Sequence, residues 1–158
     1  MPRIARITME NAFYHIITRG NQKQKVFREP TDYKKYLHLL ARYKNKFKFR
    51  LYCFCLMPNH VHLLIQVKDP LMLNKIMRGI NLSYTLSFNY RYKTVGHLWQ
   101  DRYKSKIIQN EAYLMECINY IENNPLRKSL APRINKYPWS SYKFREECHV
   151  LIDKLFDE

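Results

Sequence analysis

The chain has 158 residues, 46% of them hydrophobic and 15% aromatic, so it can bury one core and is not a disordered chain. Its 28 lysines and arginines against 13 aspartates and glutamates give a formal charge of +15, which predicts a polyanionic partner, nucleic acid before an anionic membrane. Three glycines are too few for a glycine-rich phosphate loop, and no apolar run reaches the length of a membrane span.

The N-terminus and the cysteines bear on location. The basic first six residues are not followed by the apolar region of a signal peptide, so we expect a cytoplasmic protein without a membrane partner. The four cysteines form no Cys-x-x-Cys pair, which favours reduced structural thiols over a zinc ribbon. Because no repeat or linker divides the chain, we predict one domain over residues 1–158.

The first half of the chain predicts a strand, a helix and two further strands. Residues 12–18 are aromatic and β-branched, as is typical of a strand. Thr31 or Asp32 is the expected cap of a helix that ends near Lys46. Strands at 48–56 and 60–67 are separated only by a turn, so they must pair antiparallel.

The second half predicts a helix through 73–88, a strand at 103–109 and a helix at 111–123. Pro125 is expected to stop that last helix, and a short helix is expected in the tail from Tyr137 onward. The order β-α-β-β-α-β-α matches a split βαβ arrangement. We therefore predict an α+β fold, an antiparallel sheet with helices packed mainly on one face.

Two histidines in the third predicted strand are candidate metal ligands. His60 and His62 are two residues apart, so their side chains share one face at a spacing of roughly 6.6 Å. The other face is wholly aliphatic and should be core; it consists of Val61, Leu63, Ile65 and Val67. Two such imidazoles can bind one metal ion, but ordinary surface or stacked histidines give the same pattern.

The third predicted helix carries candidate partners for these histidines. At 100° per residue, Tyr113, Tyr120 and Asn124 fall within about 40° of one another, at the edge of the apolar stripe. Tyr120 and Asn124 are four residues apart and can reach the same point, as nucleophile and third metal ligand. Either tyrosine can equally be a packing residue at the rim of a helix, and helical phase does not choose between them.

Several segments together resemble the single-tyrosine HUH insertion-sequence transposases, and most of all the branch called REP-associated tyrosine transposases. MPNHVHLL at 57–64 resembles the His-hydrophobic-His signature of that family. The other matching segments, in chain order, are TRGN at 18–21, HLWQDRY at 97–103, YIENNP at 120–125 and WSSY at 139–142. The resemblance spans about residues 10–143.

The resemblance implies a ferredoxin-like fold and an endonuclease and strand transferase that depends on a divalent metal, Mg²⁺ or Mn²⁺. Such an enzyme cleaves single-stranded DNA near hairpins through a covalent 5′-phosphotyrosine and rejoins it. Tyr120 matches the nucleophile position, His60 and His62 the metal-binding pair, and Asn124 the third ligand. The implied partner is single-stranded hairpin DNA, and the family leaves open a homodimer whose tyrosine helix serves either subunit.

The candidate DNA contacts are basic, amide and aromatic residues near the predicted strand ends. Arg102, Lys104 and Lys106 alternate along the fourth strand and the residue just before it, which places three cations on one face. The remaining candidates are Arg19, Asn21, Lys23 and Trp99. A solvated surface is the alternative for each cation, and core packing is the alternative to base stacking for Trp99.

Other hypotheses explain part of the pattern. A histidine-triad nucleotide hydrolase needs a histidine where Leu64 stands. A domesticated protein that only binds hairpin DNA, or a non-catalytic RNA-binding module of the same topology, needs neither metal nor nucleophile. Covalent attachment of Tyr120 to a DNA 5′ end would separate these from the enzyme.

Overall fold

The sheet has four strands, as the sequence pattern predicts. The computed structural model describes residues 11–147 and 149–155. The strands are β1 (Ala12–Arg19), β2 (Arg50–Met57), β3 (His60–Val67) and β4 (Lys104–Ile108). They lie in the order β2-β3-β1-β4, and each neighbouring pair is antiparallel. This is the predicted ferredoxin-like arrangement, and it places β1 beside β3 at the centre of the sheet.

The helices cover the two faces of the sheet unequally. The described residues form α1 (Pro30–Phe47), α2 (Pro70–Tyr92), α3 (Glu111–Glu122), α4 (Asn124–Arg127) and α5 (Ser141–Glu146). The two long helices, α1 and α2, pack against each other over one face. The shorter α3 packs on the opposite face, against β2 and β3.

The main core lies between the sheet and the two long helices. Val61, Leu63 and Ile65 of β3 are fully buried there, which confirms the predicted aliphatic face. In β1 the residues alternate between buried and partly exposed, and Tyr14 and Ile16 point into the same core. Each central strand therefore turns its odd or even residues to the core and the others to the α3 face.

The N-cap of helix α1 lies two residues before the first predicted cap. Glu29 is its N-cap and Pro30 its first residue, so the prediction of Thr31 or Asp32 is wrong. Proline is well tolerated there because the first helical N–H has no partner within the helix. Asp32 instead stabilises the helix start from the first turn, accepting hydrogen bonds from the backbone N–H groups of Arg28 (2.9 Å) and Glu29 (3.1 Å).

Pro125 does not leave the chain extended. Helix α3 ends at Glu122, close to the predicted end, but Pro125 lies near the start of α4, where a proline costs no hydrogen bond. The tail forms the expected short helix, α5. The residues just before it pair with the edge strand β2, since the Leu56 N–H donates to the Trp139 carbonyl (2.8 Å). No described helix is long and apolar enough to span a membrane.

The cysteines have the expected structural character. Cys53, Cys55 and Cys117 are buried free thiols, and Cys148 lies outside the described residues. Burial raises the pKa of Cys117 to about 11, so its thiol stays protonated at neutral pH.

Candidate active site

The two predicted histidines lie side by side on the face of the sheet that α3 covers. Their ring centroids are 4.9 Å apart, and the exposed fractions of His60 and His62 are only 6% and 1%. His60 Nδ1 lies 2.7 Å from Oδ1 of Asn59, in the turn between β2 and β3. Because an amide oxygen only accepts, Nδ1 carries the proton and Nε2 of His60 keeps its lone pair.

His62 bridges the sheet and the helix. Its Nε2 is 2.8 Å from the Asn124 side-chain nitrogen, and its Nδ1 is 3.0 Å from Nε2 of His15 on β1. The amide nitrogen only donates, so Nε2 of His62 accepts and Nδ1 donates to His15. The rings of His15 and His62 also stack, with centroids 5.2 Å apart. The orientation and tautomer of His62 are therefore set from both sides.

Sequence patterns did not single out His15. Alternation along β1 alone places it on the face opposite Tyr14, but only the pairing of β1 with β3 brings it to His62. In that register Ile17 lies opposite His62, and His15 is the next residue on the same face. The sequence signal that could have found His15 was a histidine on the strand that pairs with the His-x-His strand.

Burial keeps the three imidazoles neutral at physiological pH. Burial, together with Arg19 and Lys128, lowers the pKa of His60 to about 4. Burial and then the neighbouring His60 and His15 lower the pKa of His62 to about 2. Burial also lowers the pKa of His15 to about 4. Neutral imidazoles are the form that binds metal ions, so no proton has to be displaced first.

Tyr120 adjoins the histidines from α3. Its ring centroid is 5.9 Å from that of His62 and 6.1 Å from that of His15, and its side chain is 49% exposed. The Arg127 guanidinium lies over the ring, 4.2 Å from its centroid, and donates to the Tyr120 backbone carbonyl. Of the two tyrosines that helical phase left open, Tyr120 is the one whose ring contacts the histidines in the part of the chain that the structure describes.

An ion pair with a buried carboxylate holds α3 in place. Glu122, two residues after Tyr120, is buried and pairs with Arg145 of α5. Ser141 also donates to its carboxylate (3.0 Å), and Arg145 donates to the Tyr52 carbonyl on β2 (2.7 Å). Burial raises the pKa of Glu122, an effect that Arg145 opposes. The C-terminal helix thus attaches the tyrosine helix to the sheet.

Three of the predicted DNA contacts lie around this site. Arg19 lies opposite His60 in the β1–β3 pairing. Lys104 and Lys106 lie opposite Ile17 and His15 in the β1–β4 pairing, so both lysines point to the face that bears the histidines. Two further cations near the histidines, Arg127 and Lys128, were not predicted, since the bend after Asn123 that returns them to the site is a tertiary feature.

The remaining predicted contacts lie just after β1 and just before β4. Asn21 and Lys23 belong to a 3-10 turn after β1, where the Asn21 N–H donates to the Leu98 carbonyl (2.8 Å). Arg102 is exposed just before β4. Trp99 is half-buried, and its indole packs against Tyr36 and Tyr84 of the main core.

The turn that precedes the two histidines is hydrogen-bonded to the residue that follows β1. The Gly20 N–H donates to the Asn59 carbonyl at 2.8 Å. A Cβ on Gly20 would lie 2.3 Å from the Gln24 carbonyl oxygen, so only glycine fits this approach. The close contact fixes Asn59, which in turn orients His60.

The donors around His60 and His62 define what this site can bind. No group of three His, Cys, Asp or Glu side chains forms a metal centre within residues 11–147 and 149–155. Both site histidines carry their proton on Nδ1 and therefore have a lone pair on Nε2. The lone pair of His62 faces the Asn124 amide. Two imidazole nitrogens and an amide oxygen suit a divalent transition ion such as Mn²⁺.

The family model for IS200-like transposases matches residues 8–124. The chain belongs to the IS200-like transposase family. A Haemophilus influenzae protein assigned as a REP-associated tyrosine transposase is 24% identical over 111 residues, which are 61% of this chain and 60% of that protein. The chain therefore spans less than two thirds of that relative. The family predicted from the sequence motifs is confirmed.

Solved structures show the same fold. A REP-associated tyrosine transposase bound to a REP hairpin matches with a TM-score of 0.76 at 17% identity, covering 100% of this chain and 95% of that one. A Deinococcus radiodurans protein described as a transposase matches with a TM-score of 0.52 at 19% identity, covering 77% and 97%. A tRNA(His) guanylyltransferase of Saccharomyces cerevisiae reaches 0.54 at 7% identity, covering 76% and 61%. The fold thus also supports another reaction, and the site must decide the chemistry.

Proposed function

We propose that this chain cleaves single-stranded DNA beside a hairpin by attack of Tyr120 on a phosphodiester, and rejoins the strand by the reverse reaction. One observation carries the proposal: a half-exposed tyrosine adjoins two neutral histidines and a buried asparagine. Family membership supports transposase chemistry. The relative solved with a REP hairpin supports hairpin DNA as the substrate.

We assign His60, His62 and Asn124 as ligands of a divalent cation, Mg²⁺ or Mn²⁺. The donor set fits because both imidazoles are neutral and carry their proton on Nδ1, so the lone pair of each is on Nε2; that of His62 now accepts from the Asn124 amide nitrogen. The carbonyl oxygen of the Asn124 amide, whose nitrogen now donates to His62, is the donor a cation would take. When bound, such a cation polarises the scissile phosphate and neutralises charge that develops on its oxygens.

The protein's own residues carry out the exchange of bonds. The Tyr120 hydroxyl oxygen forms a bond to phosphorus while the bond from phosphorus to the DNA 3′ oxygen breaks. The phenolic proton passes to solvent, and the departing oxygen takes up a proton to become a 3′-hydroxyl. The result is a 5′-phosphotyrosine, and because one phosphodiester replaces another, the 3′-hydroxyl can reverse the step without an energy source.

Positive side chains complete the site. Arg127 keeps the Tyr120 ring in place through its stacking and its backbone hydrogen bond, and its charge lies where a phosphate must approach. Lys106 and Arg19 flank the histidines on the sheet. Since tyrosine and histidines meet within one chain, we propose that each subunit completes its own site, whether or not the chain forms a homodimer in the cytoplasm.

The decisive experiment uses hairpin DNAs with single-stranded flanks, taken from sequence around the gene and labelled at the 5′ or the 3′ end. With Mn²⁺ or Mg²⁺, we expect a protein–DNA adduct that resists denaturation and retains only the 3′ label. Fragment-ion mass spectrometry should place the nucleotide on Tyr120 and not on Tyr113. A Tyr120→Phe variant should bind the hairpin and form no adduct, whereas Tyr90→Phe, on exposed surface of α2, should behave as the native chain.

The main rival is a protein that binds hairpin DNA without cleaving it. Tight hairpin binding with no adduct in either metal would establish that rival and refute the strand transferase. Binding of single-stranded RNA in preference to hairpin DNA, again without an adduct, would establish the RNA-binding module.

A further inference from the structure

A cavity of about 620 Å³ lies beside Tyr120, between the outer strand β4 and helix α3. We propose that it binds one unpaired base of the DNA strand, next to the phosphate that Tyr120 attacks, and that it prefers bases with an exocyclic amino group to thymine. The position of the phosphate rests on the proposed function. The base preference rests on the cavity alone.

The size and lining of the cavity fit a base. Its volume lies within the roughly 300–1,000 Å³ of pockets that enclose small ligands. Ile17 of β1, Ile108 of β4 and Cys117 of α3 give it an apolar floor. An apolar surface with a few polar groups at its rim is what a flat heterocycle with hydrogen-bonding edges requires.

Two tyrosines supply stacking surface. Along α3 the cavity is lined by Tyr113, Glu116, Cys117 and Tyr120, which are spaced as one stripe of a helix. The side chains of Tyr113 and Tyr120 are 60% and 49% exposed, so both rings have free surface. Aromatic rings in this state are the usual platforms for unpaired bases.

The charges at the rim orient the strand. Lys106 lines the cavity from β4, on the face of the sheet that bears the histidines, and would attract the phosphate backbone. Glu116 lines it from α3 and is repelled by phosphate. A carboxylate in a DNA-facing cavity of a chain with net charge +15 therefore favours a base over a phosphate on that side.

The same carboxylate discriminates between bases. It accepts hydrogen bonds and donates none, so it can pair with the amino group of cytosine, adenine or guanine. Thymine offers only one ring N–H, between two carbonyl oxygens that a carboxylate repels. Loss of a bidentate or charge-assisted contact of this kind reduces affinity about tenfold.

The test measures binding, so that it does not depend on cleavage. Fluorescein-labelled hairpin DNAs carry single-stranded flanks in which each position in turn is adenine, cytosine, guanine, thymine or an abasic sugar. Affinities are measured for the full chain carrying Tyr120→Phe and for the same chain with Glu116→Gln, Tyr113→Ala or the control Glu111→Gln. Glu111 is an exposed acid of the same helix that does not line the cavity.

We expect one flank position at which an abasic sugar weakens binding about tenfold and thymine binds about tenfold more weakly than cytosine. Tyr113→Ala should reduce the abasic effect, Glu116→Gln should reduce the discrimination against thymine to less than about twofold, and Glu111→Gln should preserve both. Tyr113 and Glu116 are both exposed, and an unchanged thermal unfolding temperature would show that their variants fold.

Equal affinities at every flank position, or base preferences that survive both cavity variants, would overturn the inference. A native chain that forms the Tyr120 adduct without any base preference would refute the cavity alone. A base preference without an adduct would refute the strand transferase and keep the cavity. A chain that binds none of the hairpins would refute both.

Discussion

The two faces of the sheet are built from the same strands, yet they differ in what covers them. Toward α1 and α2, β3 presents Val61, Leu63 and Ile65, all fully buried in a continuous aliphatic and aromatic core. Toward α3, the same strand presents His60 and His62, buried but facing hydrogen-bonding partners. The short α3 leaves a cavity over β4, where Lys106 remains exposed.

The difference shows how one strand can supply both core residues and the residues proposed to bind a metal ion. The alternation of side chains along β3 separates them, since a residue on one face has no direct contact with the other. The face toward α1 and α2 can be mostly apolar because the two long helices exclude water from it, and its buried Thr18 accepts a hydrogen bond from the Asn81 amide. The α3 face can hold polar groups because His60, His62 and Asn124 each have a hydrogen-bonding partner.

The largest difference in effect on stability and on adduct formation is expected between substitutions of two adjacent residues of β3. Leu63→Ala should lower the free energy of unfolding by about 3 kcal/mol, because it leaves a cavity in the main core. The folded fraction should still form the adduct. His62→Ala should abolish the adduct and cost about 1 kcal/mol, since burying an imidazole contributes little beyond its hydrogen bonds. Urea unfolding and the end-labelled hairpin assay measure the two effects, and a destabilised but active His62→Ala would contradict the division of faces.

His15 should affect the affinity for metal and not the fold. His15→Ala removes the acceptor that fixes the tautomer of His62, and comparable losses weaken metal binding about 10–100-fold. His15→Gln, whose amide oxygen can accept the same hydrogen bond, should recover part of the loss. Titrations in which electron paramagnetic resonance detects free Mn²⁺ measure the metal affinity of each variant directly. His38→Ala on exposed surface of α1 is the control, and equal Mn²⁺ affinity in all variants would exclude the role.

Arg127 should affect the rate of adduct formation at saturating DNA. Arg127→Ala removes both the guanidinium over the Tyr120 ring and its charge, and we expect about a tenfold slower single-turnover reaction. Arg127→Lys keeps the charge but not the planar stacking, so its single-turnover rate should lie between those of the native chain and Arg127→Ala. Because Arg127 is exposed, unfolding should shift by no more than about 0.5 kcal/mol. Native rates for Arg127→Ala would show that its stacking is structural only.

The smallest effect should come from a single phosphate contact. Lys106→Ala should reduce the slope of log affinity against log salt concentration by about 1, as expected for one lost phosphate contact. Lys35→Ala, on the exposed surface of α1, changes the net charge equally and should leave the slope unchanged. Anisotropy titrations between low and moderate salt compare the two, and equal slopes would place the DNA elsewhere.

The amino-acid sequence by itself determined the order of the elements, the aliphatic face of β3 and the family. These follow from local periodicity and from motifs, which need no knowledge of distant neighbours. It also narrowed thirteen tyrosines to Tyr113 and Tyr120, because helical phase is a local property. It failed at the start of α1, where proline is compatible with the first turn of a helix as well as with its end. The end of α3 close to Pro125 was predicted, but the short helix α4 that contains this proline was not.

Only the tertiary structure decided which residues meet. His15, 47 residues before His62, reaches it through the pairing of β1 with β3. Asn124 and Arg127 reach the site because Glu122, held by Arg145, attaches α3 to the sheet and α4 folds back over Tyr120. The reason is physical: periodicity fixes which way a side chain points from its own element, whereas the partner it meets depends on strand register and helix packing across the whole chain.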